Sequence, residues 1–134
     1  MMKTLTTIRF FKPLACASLF CLPMLTTVPA IAAGNAVSGA DVYNAECADC
    51  HSLKAGKNKK GSSFVGLIGR TAGTVPGAKY SDAMKSSKIV WTPERIDAYI
   101  THPKQVVPGG SMKYDGLDDA KARADLIAFL ATKS

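Results

Sequence analysis

Cys47-Ala48-Asp49-Cys50-His51 is the stretch whose residue types and spacing can do chemistry. Two thiols three positions apart can add to the two vinyl groups of a haem, and a histidine directly after the second can bind the iron from one side. At about 3.6 residues per helical turn, positions i, i+3 and i+4 share one face. Cys47, Cys50 and His51 can therefore all meet one flat macrocycle. The competing readings of the pair are weaker. A zinc site wants a closed set of Cys and His ligands, and outside the leader described below the chain offers only Cys47, Cys50, His51 and His102. A thioredoxin-type switch wants a βαβ setting, and no strand-like alternation supplies one.

Iron held by His51 has a second axial position. Met84, Met112 and His102 are the candidates, with lysine more remote. Met112 follows Pro108-Gly109-Gly110-Ser111, a run that permits a close approach and leaves a methionine little core to fill. Met84 reads as packing, and His102, directly before Pro103, as a helix-end residue near the surface. Met112 is therefore the expected ligand. The other ring nitrogen of His51 needs an acceptor to fix the ring. A backbone carbonyl in the 61–63 loop is the expected partner.

These residues need elements to position them. Ser38 and Asp41 suit a helix start, and Ala40, Tyr43 and Cys47 recur on one face, so a helix is predicted over about 39–50. Residues 54–63, with Lys57, Lys59 and Lys60 and two glycines, read as a solvated loop. Short helical pieces are predicted within 64–70 and over 82–86. Thr92-Pro93 is a strong helix start. Ile96, Tyr99 and Ile100 give that helix its buried face, and Pro103 is expected to end it. Residues 103–116 read as one long loop of the kind that carries function. A last helix is predicted over 118–131, with Ala122, Leu126, Phe129 and Leu130 as its apolar stripe and Ile127 widening it. The predicted class is all-α with long loops.

The 134 residues are 47% hydrophobic and 20% charged, ordinary for one globular domain. The N-terminal end differs. Lys3, Arg9 and Lys12 precede an uncharged run from Leu14 to Ala33 that contains Ala30-Ile31-Ala32. That order of features predicts a secretory signal peptide over 1–32, cleaved to leave a single domain over 33–134. A membrane anchor is the competing reading, since about 20 apolar residues can span a bilayer, but Pro23 and Pro29 interrupt the run. Cys16 and Cys21 would leave with the leader, so Cys47 and Cys50 remain as the sole thiols. Without Lys3, Arg9 and Lys12, the formal charge of +7 falls to an excess of four. That is too weak a basic balance for nucleic acid, and no arginine–aromatic interleaving supports it.

Taken in order, C-A-D-C-H at 47–51, G-L-I-G-R at 66–70, P-G-A-K-Y at 76–80, I-V-W-T-P-E at 89–94, H-P-K-Q-V-V-P-G-G-S-M at 102–112 and R-A-D-L-I-A-F-L at 123–130 resemble class I cytochrome c, of the mitochondrial and bacterial c2 kind. The resemblance implies a small all-α fold whose first and last helices cross and whose long loops wrap one covalent haem c. It implies that Gly39 permits the crossing, that Tyr43 packs near Phe129, and that Met112 is the sixth ligand. It further implies that Arg70, Tyr80 and Trp91 enclose or bond the buried propionates, which need donors, and that Tyr99 lies beside the methionine sulfur.

The chain departs from the family at Ser62, where proline is usual, at Met84, where an asparagine is usual, and at Gly110, where a threonine is usual. Asp41, Glu46 and Asp118 stand where the family often has lysine, while Lys60, Lys104 and Lys113 remain near the haem edge. The implied function is a soluble, monomeric electron carrier in the periplasm of a Gram-negative bacterium. It would dock briefly with a quinol-oxidising complex, terminal oxidase, reaction centre or dehydrogenase, with no stable membrane insertion. The alternatives are a peroxidase-like enzyme with a labile Met112 bond, or a subunit held by one dehydrogenase or oxidase.

Overall fold

A computed structural model describes residues 33–133. The expected leader over 1–32 lies outside the described residues. Five helices follow one another: α1 (Ala36–Glu46), α2 (Asp82–Ser86), α3 (Pro93–Thr101), α4 (Pro103–Val106) and α5 (Ala120–Ala131). Among the described residues the sole strand-like pairing is an isolated antiparallel bridge between Thr71 and Val90. The all-α expectation agrees with this.

α1 starts earlier and ends earlier than the spacing predicts. Asn35, not Ser38, caps it, its side-chain oxygen accepting from the amides of Val37 at 2.8 Å and Ser38 at 3.3 Å. Asparagine is as good a cap as serine, and the pattern that favoured Ser38 carried no information to separate them. The regular helix stops at Glu46, and Cys47 to Cys50 continue as turns.

α1 crosses α5 at close range. A methyl group at Gly39 would fall inside the contact shell of the Asp125 carbonyl oxygen and 2.7 Å from Cβ of Phe129. Only a residue without a side chain lets the two backbones meet there. Asp125 then ties the crossing: its carboxylate accepts from the Asn35 amide at 2.7 Å and from Lys121 Nζ at 2.6 Å. Tyr43 packs on Phe129 with ring centroids 5.8 Å apart, as the resemblance implies. Leu126, 2% exposed, is the most buried large side chain of the core. Burying such a leucine is worth about 1.5–3 kcal/mol.

The remaining elements follow their local chemistry. Thr92 caps α3 through Arg95 and Pro93 occupies the first turn, as expected. α2 runs over the expected residues, with Ser81 accepting from the Met84 amide. Pro103 does not open a loop: it stands in the first turn of α4, where a missing N–H costs nothing. The irregular segment therefore starts after Val106 rather than at Pro103. Residues 64–70 form two successive tight turns instead of a helical turn, closed by Leu67 N–H to Phe64 and Arg70 N–H to Leu67. α5 is capped by Asp119 and begins at Ala120, not at Asp118.

Candidate functional site

The turn that leaves α1 brings Cys47, Cys50 and His51 together. The amides of Cys50 and His51 both donate to the Cys47 carbonyl, at 3.1 and 2.9 Å. Tyr43 reaches from α1 to the His51 carbonyl at 2.8 Å, and the Gly61 amide donates to Cys50 at 2.8 Å. Lys59 Nζ adds a bond to the Ala48 carbonyl. The pentapeptide is thus fastened on both sides.

The His51 ring is held in one orientation. Nδ1 lies 2.7 Å from the Ser62 carbonyl. A carbonyl only accepts, so Nδ1 carries the proton and Nε2 keeps its lone pair. Phe64 stacks on the ring with centroids 4.1 Å apart and planes 19° from parallel. A methyl at Gly61 would lie 2.7 Å from Nε2 and 2.8 Å from Nδ1, so glycine is the residue that lets the loop back the ring. Burial, aided by the Lys59 charge, lowers the His51 pKa against the opposite pull of the Ser62 bond. That direction favours the neutral imidazole, the form that binds a metal. The Cys47 thiol is pushed up to about 12 by burial first, then by Glu46 and Cys50. A buried thiol that stays protonated is a poor nucleophile and a poor redox switch. Among the described residues no cluster of three or more His, Cys, Asp or Glu side chains can hold a metal ion.

Cys47, Cys50 and His51 line a cavity of ≈ 340 Å³, and Met112, Met84, Tyr80, Trp91 and Tyr99 line the same cavity. Leu67, Ile96, Leu126 and Leu130 give it an apolar floor. The Tyr99 hydroxyl points to Met112 Sδ at 3.8 Å, and the Tyr99 ring lies 5.0 Å from that of Trp91. Burial raises the Tyr99 pKa, so the hydroxyl remains a donor. His102 is exposed at the end of α3 and is not a wall residue. Arg70 is also outside the cavity wall. It donates to the carbonyls of Val65 at 2.7 Å and Ser63 at 3.0 Å, with further N–H groups unspent among the described residues.

Three contributors escaped sequence reasoning. Phe64, the ring on His51, stood in a segment read only as a short helix. Lys79 joins Lys60 and Lys113 at the wall, whereas Lys104 pairs with Asp115 at 3.2 Å away from it. Tyr114 donates to the Glu46 carboxylate at 2.9 Å, and both residues line the cavity. An aromatic two residues after Met112, in an otherwise glycine-rich loop, was the signal for it.

A flat apolar group carrying an iron fits this donor set: paired thiols, an imidazole whose Nε2 is free, a thioether, and an apolar floor between them. The comparisons agree. Residues 36–134 match the family model for cytochrome c. Cytochrome c2 of Rhodopila globiformis is 44% identical over 99 residues, covering 74% of this chain and 93% of that protein. Cytochrome c-type cyt cy of Rhodobacter capsulatus is 46% identical over 104 residues, 78% of this chain but 52% of that longer relative. Cytochrome c of Arabidopsis thaliana is 44% identical over 98 residues, covering 72% of this chain and 88% of that protein.

Proposed function

The chain belongs to the cytochrome c family, and from that premise we propose that it is a soluble periplasmic carrier of single electrons with iron held axially by His51 and Met112. Haem c, bonded through Cys47 and Cys50, supplies the one-electron couple between ferrous and ferric iron. The protein is an electron carrier, not an enzyme.

The observation that carries the axial assignment is the Nδ1–Ser62 contact at 2.7 Å, which leaves Nε2 free in the wall of a cavity that Met112 shares. A Met112 thioether favours the reduced state and raises the potential relative to two nitrogen ligands. Tyr99 orients that sulfur through its hydroxyl. Tyr80 and Trp91, both at the cavity wall, would enclose the propionates, whose buried charge needs donors, while Arg70 braces the loop behind the wall through the Val65 and Ser63 carbonyls. The clamps on His51 keep the ring in one place in both oxidation states, which limits reorganisation. Lys60, Lys79 and Lys113 at the cavity wall, with Glu46 among them, set the encounter with a redox partner and its salt dependence. Small redox interfaces of this kind are brief and weak.

Export rests on the sequence of the leader, and no helix among the described residues is long and apolar enough to cross a membrane. The mass of the natively exported protein tests cleavage behind Ala32.

An optical redox titration of the purified protein tests the carrier reading. The expected result is a single one-electron transition and a ferric methionine–iron charge-transfer band in the far red, abolished with a lowered midpoint in Met112→Ala. A Met112→Ala protein with unchanged spectrum and midpoint would overturn the ligand assignment.

A further inference from the structure

The segment that carries Met112 is tied down unevenly. Its flanks are anchored to its own side of the cavity. The Gly110 amide donates to Val107 at 3.0 Å, and the Leu117 amide to Ile100 at 2.8 Å. Lys104 holds Asp115 at 3.2 Å and Tyr99 reaches Met112 at 3.8 Å. All of these partners belong to the stretch from α3 to the start of the segment. Among the described residues, one hydrogen bond from residues 108–116 crosses to the wall that carries the thiols: Tyr114 Oη to Glu46 Oε2 at 2.9 Å, joining positions 68 apart in the chain. Glu46 is the last residue of α1 and directly precedes Cys47. Glu46, Tyr114, Cys47 and Met112 all line the one cavity.

We propose that Tyr114 and Glu46 are positioning residues that latch the Met112 segment across the cavity mouth, setting how often Met112 is exposed to displacement by an entering ligand. The proposal rests on Met112 being the axial ligand. Its physical basis is the pairing of an ionised acceptor with a phenol donor, stronger than a neutral bond. The pair is exposed to water, which reduces its worth to a modest level. The latch is therefore weak enough to open in the native state and strong enough to bias the segment shut. Its anchor at the end of α1 makes the closure depend on the rigid helix crossing rather than on the loop's own contacts.

Four variants of the holoprotein test this: Tyr114→Phe, which keeps the ring and removes the hydroxyl; Glu46→Ala, which removes the acceptor; Glu46→Gln, which keeps an acceptor without the charge; and Tyr114→Phe with Glu46→Ala. One probe is the rate at which imidazole, uncharged in mild alkali, binds the ferric protein. The other is the rate of limited trypsin cleavage after Lys113, which reads segment opening without reference to the iron. Each single deletion is expected to raise both rates about five-fold, as for losing one exposed charge-assisted bond. The double variant is expected to be no faster than either single one, and Glu46→Gln to lie nearer the parent than Glu46→Ala. Unaltered rates in Tyr114→Phe, or a double variant whose effect is the product of the two singles, would overturn the latch. Should the parent protein lack the methionine–iron band, the Met112 assignment fails, while the trypsin rates still decide whether Tyr114 and Glu46 hold the segment.

Discussion

The wall that carries Cys47, Cys50 and His51 grows straight out of α1, and α1 is pressed against α5 at Gly39 and tied to it through Asp125. The wall that carries Met112 is a segment between Val107 and Asp119 with no regular structure, anchored by Val107, 3% exposed, at one end and by the Leu117–Ile100 bond at the other. Both walls face one cavity, yet they are stabilised by different physics. The first rests on close helix packing and buried apolar area, which report on global unfolding. The second rests on a few hydrogen bonds, several of them at the surface, which open locally at lower cost. On the proposed ligation, one half of the site is a fixed mount for the prosthetic group and the other an adjustable ligand arm. Changes to the mount should therefore cost fold stability, and changes to the arm should alter iron ligation while leaving stability nearly untouched.

The largest break in that contrast is expected from Gly39→Ala. The new methyl would collide with Asp125 backbone, and the two helices must separate. Overpacking of this kind typically costs about 1–3 kcal/mol, and this site belongs at about 3 kcal/mol because a backbone atom has to move. Denaturant unfolding of the holoprotein measures it.

Asp125→Asn probes the same crossing through pH. Lys121 first, then the Asn35 amide, hold the Asp125 carboxyl below the usual carboxylate range. A folded-state pKa below the unfolded value of about 3.9 stabilises the fold above that value, and the contribution is lost as pH falls through the folded one. Asp125→Asn should thus be less stable at neutral pH and show a flatter loss of stability below pH about 4. An unchanged acid-unfolding curve would mean the carboxylate is not the tie between α1 and α5.

The smallest effect on stability is expected on the arm. Tyr99→Phe removes the hydroxyl beside Met112 Sδ. A bond to sulfur at this length should contribute about 0.5 kcal/mol to unfolding. The methionine–iron band should nonetheless shift and the midpoint should move. If Tyr99→Phe destabilised the protein as much as Gly39→Ala, the division between mount and arm would be wrong.

Much of this division is legible in the residues themselves. Cys47, Cys50 and His51 declare the mount by spacing, and Thr92-Pro93 places a helix start because a capping oxygen is a local signal. Where two equally good caps compete, as at Asn35 and Ser38 or at Asp118 and Asp119, the choice depends on tertiary contacts. Asn35 wins where its own amide is held by Asp125, a bond that spans 90 positions. Pro103 misled because proline both ends one helix and opens the next. Asp125 itself, an acid inside the apolar run R-A-D-L-I-A-F-L, was a visible anomaly whose partner was not. Arg70 shows the converse: its place in the pattern was clear, but its guanidinium turns to the Val65 and Ser63 carbonyls rather than into the cavity wall.

Native-state amide hydrogen exchange of the ferric holoprotein tests the two-wall account most directly. Amides of α1 and α5, Tyr43 and Leu126 among them, are expected to exchange only through global unfolding, with denaturant-sensitive free energies that match the equilibrium value. The Gly110 amide, bonded only within its own segment to Val107, is expected to exchange through a local opening of clearly lower free energy and little denaturant dependence. Exchange of the Gly110 amide at the same free energy as the helix crossing would contradict the account, since fixed mount and adjustable arm would then open as one unit.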